Sequence, residues 1–244
     1  MVNIKGSIVL ITLIVWARVC MANTDQQLWF ALVQQGRITK HWGYFLDIQH
    51  RTKNQFLNNL HTELFRVGAT YYVNNDLRVT AGYAFVLGFP SLNNQSFFRP
   101  EHRPWQQVFH VYTNHAKNLR LINYLRTEQR LLRKTAGETL AEGHIFRLRF
   151  RYSIMMVALF NKKEFKQGSV GLVLNDEVFV TAYSADKVKA FDQNRAFAGL
   201  AYNITDALQL HAGYLNIFAF TPKGNEIVHG IRVTAFHNIS WAKK

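Results

Sequence analysis

The stretch Phe146-Arg147-Leu148-Arg149-Phe150-Arg151-Tyr152-Ser153-Ile154-Met155-Met156 decides how this chain must fold. Phe146, Leu148, Phe150, Tyr152, Ile154 and Met156 are apolar or aromatic, and Arg147, Arg149, Arg151 and Ser153 stand between them. Wound as a helix at about 100° per residue, the three arginines would spread over more than half of the circumference and leave no apolar stripe intact. Extended as a strand, they form one polar ladder backed by one apolar ladder. The stretch therefore predicts a strand dividing a charged compartment from an apolar one.

The same alternation recurs along most of the chain. Leu77, Val79, Ala81, Tyr83, Phe85, Leu87 and Phe89 share one face, against Arg78, Thr80, Gly82, Ala84, Val86 and Gly88. Ile231, Val233, Ala235, Ile239 and Trp241 oppose Gly230, Arg232, Thr234, Phe236, Asn238 and Ser240. Counted this way, strands are expected at 27–35, 38–51, 60–74, 76–89, 104–114, 117–132, 144–158, 168–183, 192–203, 206–219 and 227–241. Connections at Asn74-Asn75-Asp76, Asn114-His115-Ala116 and Ile204-Thr205-Asp206 are short and rich in turn formers, whereas those at 90–103, 133–143 and 184–191 are longer.

Lys5 precedes the apolar run from Ile8 to Ala17, which is too short for the ~20 residues a membrane helix needs. Cys20 and Ala22 then supply small residues where an export peptidase reads, so residues 1–22 are expected to be a cleaved signal peptide and 23–244 the mature domain. The alternative is an uncleaved anchor, favoured by Arg18 at the end of the run. A lipoprotein fits poorly, since Val19 is too large before a lipidated cysteine. Cys20 is the only cysteine, so the mature chain can hold no disulfide, and its His, Asp and Glu residues lack the tight spacing of a metal site. No cofactor is implied.

The formal charge is +14, of which Lys5 and Arg18 would leave with the peptide. The remaining basic residues are dispersed and alternate with apolar ones, which argues against a nucleic-acid patch. With no apolar helical stretch after Ala22, a membrane protein of this sequence must cross with strands. The expected fold is all-β: a transmembrane antiparallel up-and-down β-barrel. Single-chain bacterial barrels usually have an even strand number, so the eleven segments suggest 12 strands, with 10 as the alternative. A soluble sandwich or lipocalin-like barrel would place its apolar face inward, and mid-strand charges would then need burial in a packed core.

The chain resembles a family of Gram-negative outer-membrane barrels of unknown function, over essentially all of the mature length. The resemblance rests on Trp29, Gln49-His50-Arg51, Phe65-Arg66-Val67-Gly68, Gly82-Tyr83, Glu101-His102-Arg103 and Arg126-Thr127-Glu128-Gln129-Arg130. It continues through Arg147 to Tyr152, Asn175-Asp176-Glu177-Val178-Phe179, Asp192-Gln193-Asn194-Arg195 and Gly213-Tyr214. It implies a barrel in the bacterial outer membrane and no particular activity. Partners expected of such a protein are outer-membrane lipid, lipopolysaccharide and the barrel-assembly machinery, with a monomer favoured. Lysines 134, 162, 163, 166, 187 and 189 would meet lipopolysaccharide where they face outward.

Chemistry must come from the polar faces. Arg126, Glu128 and Arg130 lie at i, i+2 and i+4 and enter one compartment. With Arg66, Arg147, Arg149, Arg151, Glu177, Gln193 and Arg195, and with Asp47 as an addition, they form the expected charge network of the lumen. Glu128 and Glu177 are the expected partners of the Arg147, Arg149 and Arg151 ladder. Two readings stay open: a constriction or binding site where arginines grip phosphate or carboxylate, and a salt-bridged plug that fixes strand register. A lipid-modifying enzyme is the rival class. His110, His211, Ser153 and Ser169 offer the residue types, but Gly168-Ser169-Val170-Gly171 lacks the spacing of a nucleophile elbow.

Overall fold

A computed structural model describes residues 23–242 except 92, 93, 95, 189, 222 and 223; the signal-peptide reading of 1–22 lies outside them. Strands β1 (Asn23–Arg37), β2 (Trp42–Lys53), β3 (Asn59–Tyr72), β4 (Leu77–Gly88), β5 (Arg99–Thr113) and β6 (Leu119–Ala136) are followed by β7 (Thr139–Leu159), β8 (Val170–Ser184), β9 (Phe191–Asn203), β10 (Leu208–Thr221) and β11 (Gly224–Ser240). Each pairs antiparallel with the next, and β1 closes the barrel by pairing with β11. That last pairing is parallel, in unbroken register from Asn23↔Glu226 to Arg37↔Ser240.

The expected count of 12 or 10 is corrected to eleven among the described residues, and the all-antiparallel barrel to a mixed one. The cause is parity. In an up-and-down meander, strand direction alternates, so an odd number leaves the first and last strands pointing the same way. The parity rule, rather than the strand pattern, supplied the error.

One rim carries the turns 38–41, 73–76, 114–118, 160–169 and 204–207 with the end of β11; the other carries 54–58, 89–98, 137–138 and 185–190 with the start of β1. On the first rim, side-chain oxygens close the turns locally. Asn74 Oδ1 accepts from the amides of Asp76 and Leu77, Asn114 Oδ1 from those of Asn118 and Leu119, and Thr205 Oγ1 from those of Ala207 and Leu208. The long connection expected over 133–143 is absent. β6 and β7 pair to Ala136↔Thr139, leaving only Gly137 and Glu138 to turn, with Gly137 at φ 61°. This hairpin extends beyond the wall, where both of its faces meet water, so its sequence carries no alternation to read.

The two faces of the wall are chemically opposite. Leu32, Ile48, Phe65, Val67, Val108, Leu125, Ile154, Leu172, Leu200 and Ile231 are exposed on the outside, while the inward positions bury Asp47, Arg66, Glu101, Arg126, Glu128, Arg149 and Glu177. From the middle of the wall toward the second rim, the outer face includes polar groups that satisfy one another. His50 lies 2.5 Å from Glu63, Asn194 donates to Asp176 at 2.7 Å, and the hydroxyl of Tyr214 meets His229 at 2.5 Å.

Inside, an apolar cluster of Trp29, Val157, Val173, Phe197, Ala201, Leu215, Ile217 and Val228 fills one side, and Trp105, Phe45 and Ala84 fill the other. The large rings fit because glycines face each other beneath them. Gly68 opposes Gly82, and a Cβ on Gly82 would lie 2.6 Å from the Cα of Gly68. A Cβ on Gly68 would meet the Trp105 ring at 2.9 Å. Phe45 meets Trp105 edge to face with centroids 5.3 Å apart, an arrangement worth about 0.5–1.5 kcal/mol beyond burial.

Candidate functional site: a charged septum between two vestibules

Strand register generates the site. It sets Asp47 opposite Arg66, Gln107 opposite Arg126, Glu128 opposite Arg149, and Glu177 opposite Arg195. It also sets Arg126 opposite Arg151 and Arg130 opposite Arg147, pairs that repel if their side chains extend straight across. The arginines instead reach sideways to separate acceptors. Arg130 grips Glu101 with Nε at 2.7 Å and Nη2 at 2.9 Å; Arg151 reaches Glu177 at 2.6 Å; Arg126 donates twice to Gln107 at 2.8 and 2.5 Å. Arg147 bends out to Asp186 at the second rim.

Glu128 is the hub. It is fully buried, accepts from Arg149 Nε at 2.9 Å and Nη2 at 2.5 Å, and lies 3.7, 3.8 and 3.9 Å from Arg103, Arg66 and Arg126. Each of those arginines has a second acceptor: Asp47 for Arg66 at 2.5 Å, Glu101 for Arg103 at 2.7 Å, Asp192 for Arg149 at 2.9 Å, and Gln107 for Arg126. The guanidiniums also lie over aromatic rings, Arg126 at 4.8 Å from the Trp105 centroid and Arg149 at 5.1 Å from that of Phe179. Tyr124 donates its hydroxyl to Glu177 at 2.5 Å. Arginines, acceptors and rings on seven strands, β2, β3 and β5 to β9, are thus tied into one layer.

On either side of this layer the lumen opens. The cavity toward the first rim has a volume of roughly 500 Å³ and that toward the second roughly 430 Å³. Arg51, Arg66, Arg151 and Arg195 line both, so they stand where the two meet. Arg78, Arg120 and Arg232 add positive charge to the first vestibule, and Arg99, Arg103, Arg130, Arg147 and Arg149 to the second. Both are strongly basic, and either can draw in an anion.

Of the residues expected from sequence, Arg66, Arg126, Glu128, Arg130, Arg149, Arg151 and Glu177 meet in the layer, with Asp47. Glu128 and Glu177 are the carboxylates that hold Arg149 and Arg151. Arg147 does not join; its partner is Asp186 in the 185–190 turn. Gln193 contributes one acceptor, to Arg195 Nε at 3.3 Å. The sequence reading missed Arg51, Glu101, Arg103, Tyr124, Asp192 and Arg232 as members. Arg51 continues the Asp47 and Gln49 face at i+4, a signal that was present. Glu101 and Arg103 fell in the span 90–103, expected to be a loop, whereas β5 begins at Arg99.

The side chains raised for an enzyme are dispersed. His110 points outward and is exposed, whereas His211 is buried inside and hydrogen bonds to Gln209 at 2.8 Å. The Ser153 hydroxyl accepts from Asn175 at 3.0 Å, and the hydroxyl of Ser169 has no hydrogen-bond partner among the described residues. Among the described residues, no group of three metal-binding side chains gathers.

No curated protein and no solved structure matches this chain. A family model covering residues 26–228 does, and it spans most of β1 to the first part of β11, with every member of the charged layer except Arg232. The chain belongs to the family described as Protein of unknown function (DUF2490).

Proposed function

We propose that the mature chain is an outer-membrane barrel of a Gram-negative bacterium, exported by a peptide spanning residues 1–22, whose lumen is barred by the charged layer. It takes up small anionic solutes in its vestibules rather than conducting freely. The observation carrying this reading is the inverted sidedness: aliphatic and aromatic side chains cover the outside while ion pairs fill the inside. In water such a surface would aggregate; in lipid it is the low-energy one. Trp42 against Tyr71, centroids 5.2 Å apart, and Tyr44 against Trp241, 6.2 Å apart, stand at the first rim where an aromatic girdle would meet headgroups. The His50–Glu63 pair on the outer face toward the second rim supports a polar border there, with lipopolysaccharide as the proposed neighbour.

Planar bilayers test both halves of the reading. Purified protein should begin at Asn23, migrate as a compact band until boiled, and insert without a stable wide conductance. A steady open state would refute the barred lumen, and failure to enter lipid would refute the membrane placement.

A further inference from the structure

Arg51 and Arg195 differ from the other arginines of the layer. Both line the junction of the two vestibules, both are at least nine-tenths buried, and neither lies within ion-pair distance of a carboxylate among the described residues. Each leans on the same ring, Arg51 at 3.8 Å and Arg195 at 4.9 Å from the Trp29 centroid. Among the described residues, the side-chain acceptor of Arg51 is the neutral Gln49 amide, and its Nε has no hydrogen-bond partner. Among the described residues, the side-chain acceptor of Arg195 is the Gln193 amide at 3.3 Å; Glu177, opposite it in register, lies beyond ion-pair distance and is held by Arg151. Arg66 and Arg151, the other two residues at the junction, are each held by a carboxylate.

Two buried like charges side by side are costly unless a negative charge joins them. They would be cheap to replace if they only filled space, since Gln49 and Gln193 do not require a cation. We infer that Arg51 and Arg195 form a binding site for a small oxyanion, a phosphate group above all, held at the junction of the vestibules with Trp29 as its apolar floor. The guanidinium fork matches the paired oxygens of such a group, and burial strengthens each contact relative to water. Arg232, over the Phe197 ring at 3.9 Å and weakly bonded to Asn175 at 3.4 Å, stands in the first vestibule on the approach. Entry along the lumen favours a water-borne solute over a lipid headgroup, which would have to leave the outer surface. The site rests on the reading of the lumen as a binding vestibule.

The test is titration calorimetry of the folded barrel in a zwitterionic detergent, with inorganic phosphate as the probe and chloride as the ionic-strength control. A short-chain phosphatidate in a second arm separates the sources. Arg51→Gln and Arg195→Gln should each weaken phosphate binding at least tenfold, and Lys117→Gln, exposed in the 114–118 turn and lining neither vestibule, should change it less than twofold. Without phosphate, both junction variants should keep the compact gel band to a higher temperature than the parent, because each removes half of a repulsive pair. Binding of phosphate by either variant at parental strength overturns the site. So does a lowered band temperature with lost binding, which would make the two arginines structural. Binding of phosphatidate but not phosphate would overturn the water-borne solute. A protein that binds no phosphate yet keeps its compact band refutes this site and leaves the barrel reading standing; loss of the compact band in the parent refutes the barrel reading itself.

Discussion

Glu128→Gln is the most informative single change, because it removes one charge and almost no volume. Glu128 has no exposed surface and faces four guanidiniums, the nearest at 2.5 Å and the others at 3.7 to 3.9 Å. At an effective dielectric constant of about 20, a unit pair at 4 Å attracts by roughly 4 kcal/mol, so several such attractions are lost together. The carboxylate's own desolvation offsets much of that, and Asp47, Glu101 and Asp192 still hold three of the four arginines. The net loss should therefore fall near the value for breaking one buried pair, about 3–5 kcal/mol. For a chain of this size each kcal/mol moves the midpoint by roughly 2–4 °C, so the compact band should disappear at least ~6 °C earlier. The assay is a heating series on unboiled gels at fixed incubation time. Glu63→Gln is the control, since it touches only the half-exposed His50 outside the barrel, and should shift the midpoint by no more than about 2 °C. Adding Arg126→Gln to Glu128→Gln should recover part of the loss, because Arg126 is the one of the four whose other acceptor, Gln107, is neutral. If Glu128→Gln shifts the band no further than the control, the layer is hydrated and open, and an anion-favouring channel becomes the better account.

Three further outcomes follow from the same structure. Gly82→Ala places a methyl group 2.0 Å from the carbonyl oxygen of Val67 and should destabilise the wall by about 1–3 kcal/mol, read as loss of the compact band at lower temperature, whereas Ala84→Gly on the same strand should lack this clash. Leu200→Arg, on the exposed outer face of β9, should cost roughly 2–4 kcal/mol in lipid if it lies near the midplane, measured by urea titration in vesicles, and far less if that face meets water. Asp186, in the turn at the second rim, is held at about 2 chiefly by its hydrogen bond from Arg147. Its depressed value stabilises the fold above the unfolded carboxylate's ~3.9 and is lost as pH falls toward 2, so the small stability difference between parent and Arg147→Gln should be present at pH 6 and vanish near pH 2.

The wall was legible wherever a strand has lipid-type residues on one side and polar ones on the other. Phe146 to Met156 reads without ambiguity because a one-residue slip would put three arginines outside. The pairing of Glu128 with Arg149 was readable in kind, since buried arginines need acceptors, but which acceptor serves which arginine is fixed by register between strands, and register is not written in any single strand. Glu101 and Arg103 stayed hidden in the span 90–103, where Pro100 breaks the run of strand-forming residues. In the structure the β5–β6 pairing skips Arg103 and Pro104 and resumes at Trp105↔Glu128, so the proline is tolerated where the ladder lapses. The hairpin tip at Gly137 and Glu138 was misjudged for the opposite reason, since a ribbon wet on both faces needs no pattern at all.

The parallel seam between β1 and β11 constrains how such a protein can have come to be. Meandering barrels lengthen or shorten most simply by copying or deleting a hairpin, which changes the strand number by two and leaves both termini on their original rims. From eleven strands, every such step keeps an odd number and a parallel closure. An all-antiparallel relative therefore cannot be reached by hairpin exchange; it requires a single strand to be gained or lost at one terminus, with that terminus moving to the opposite rim. Ancestry in this fold is recorded in which way the last strand points.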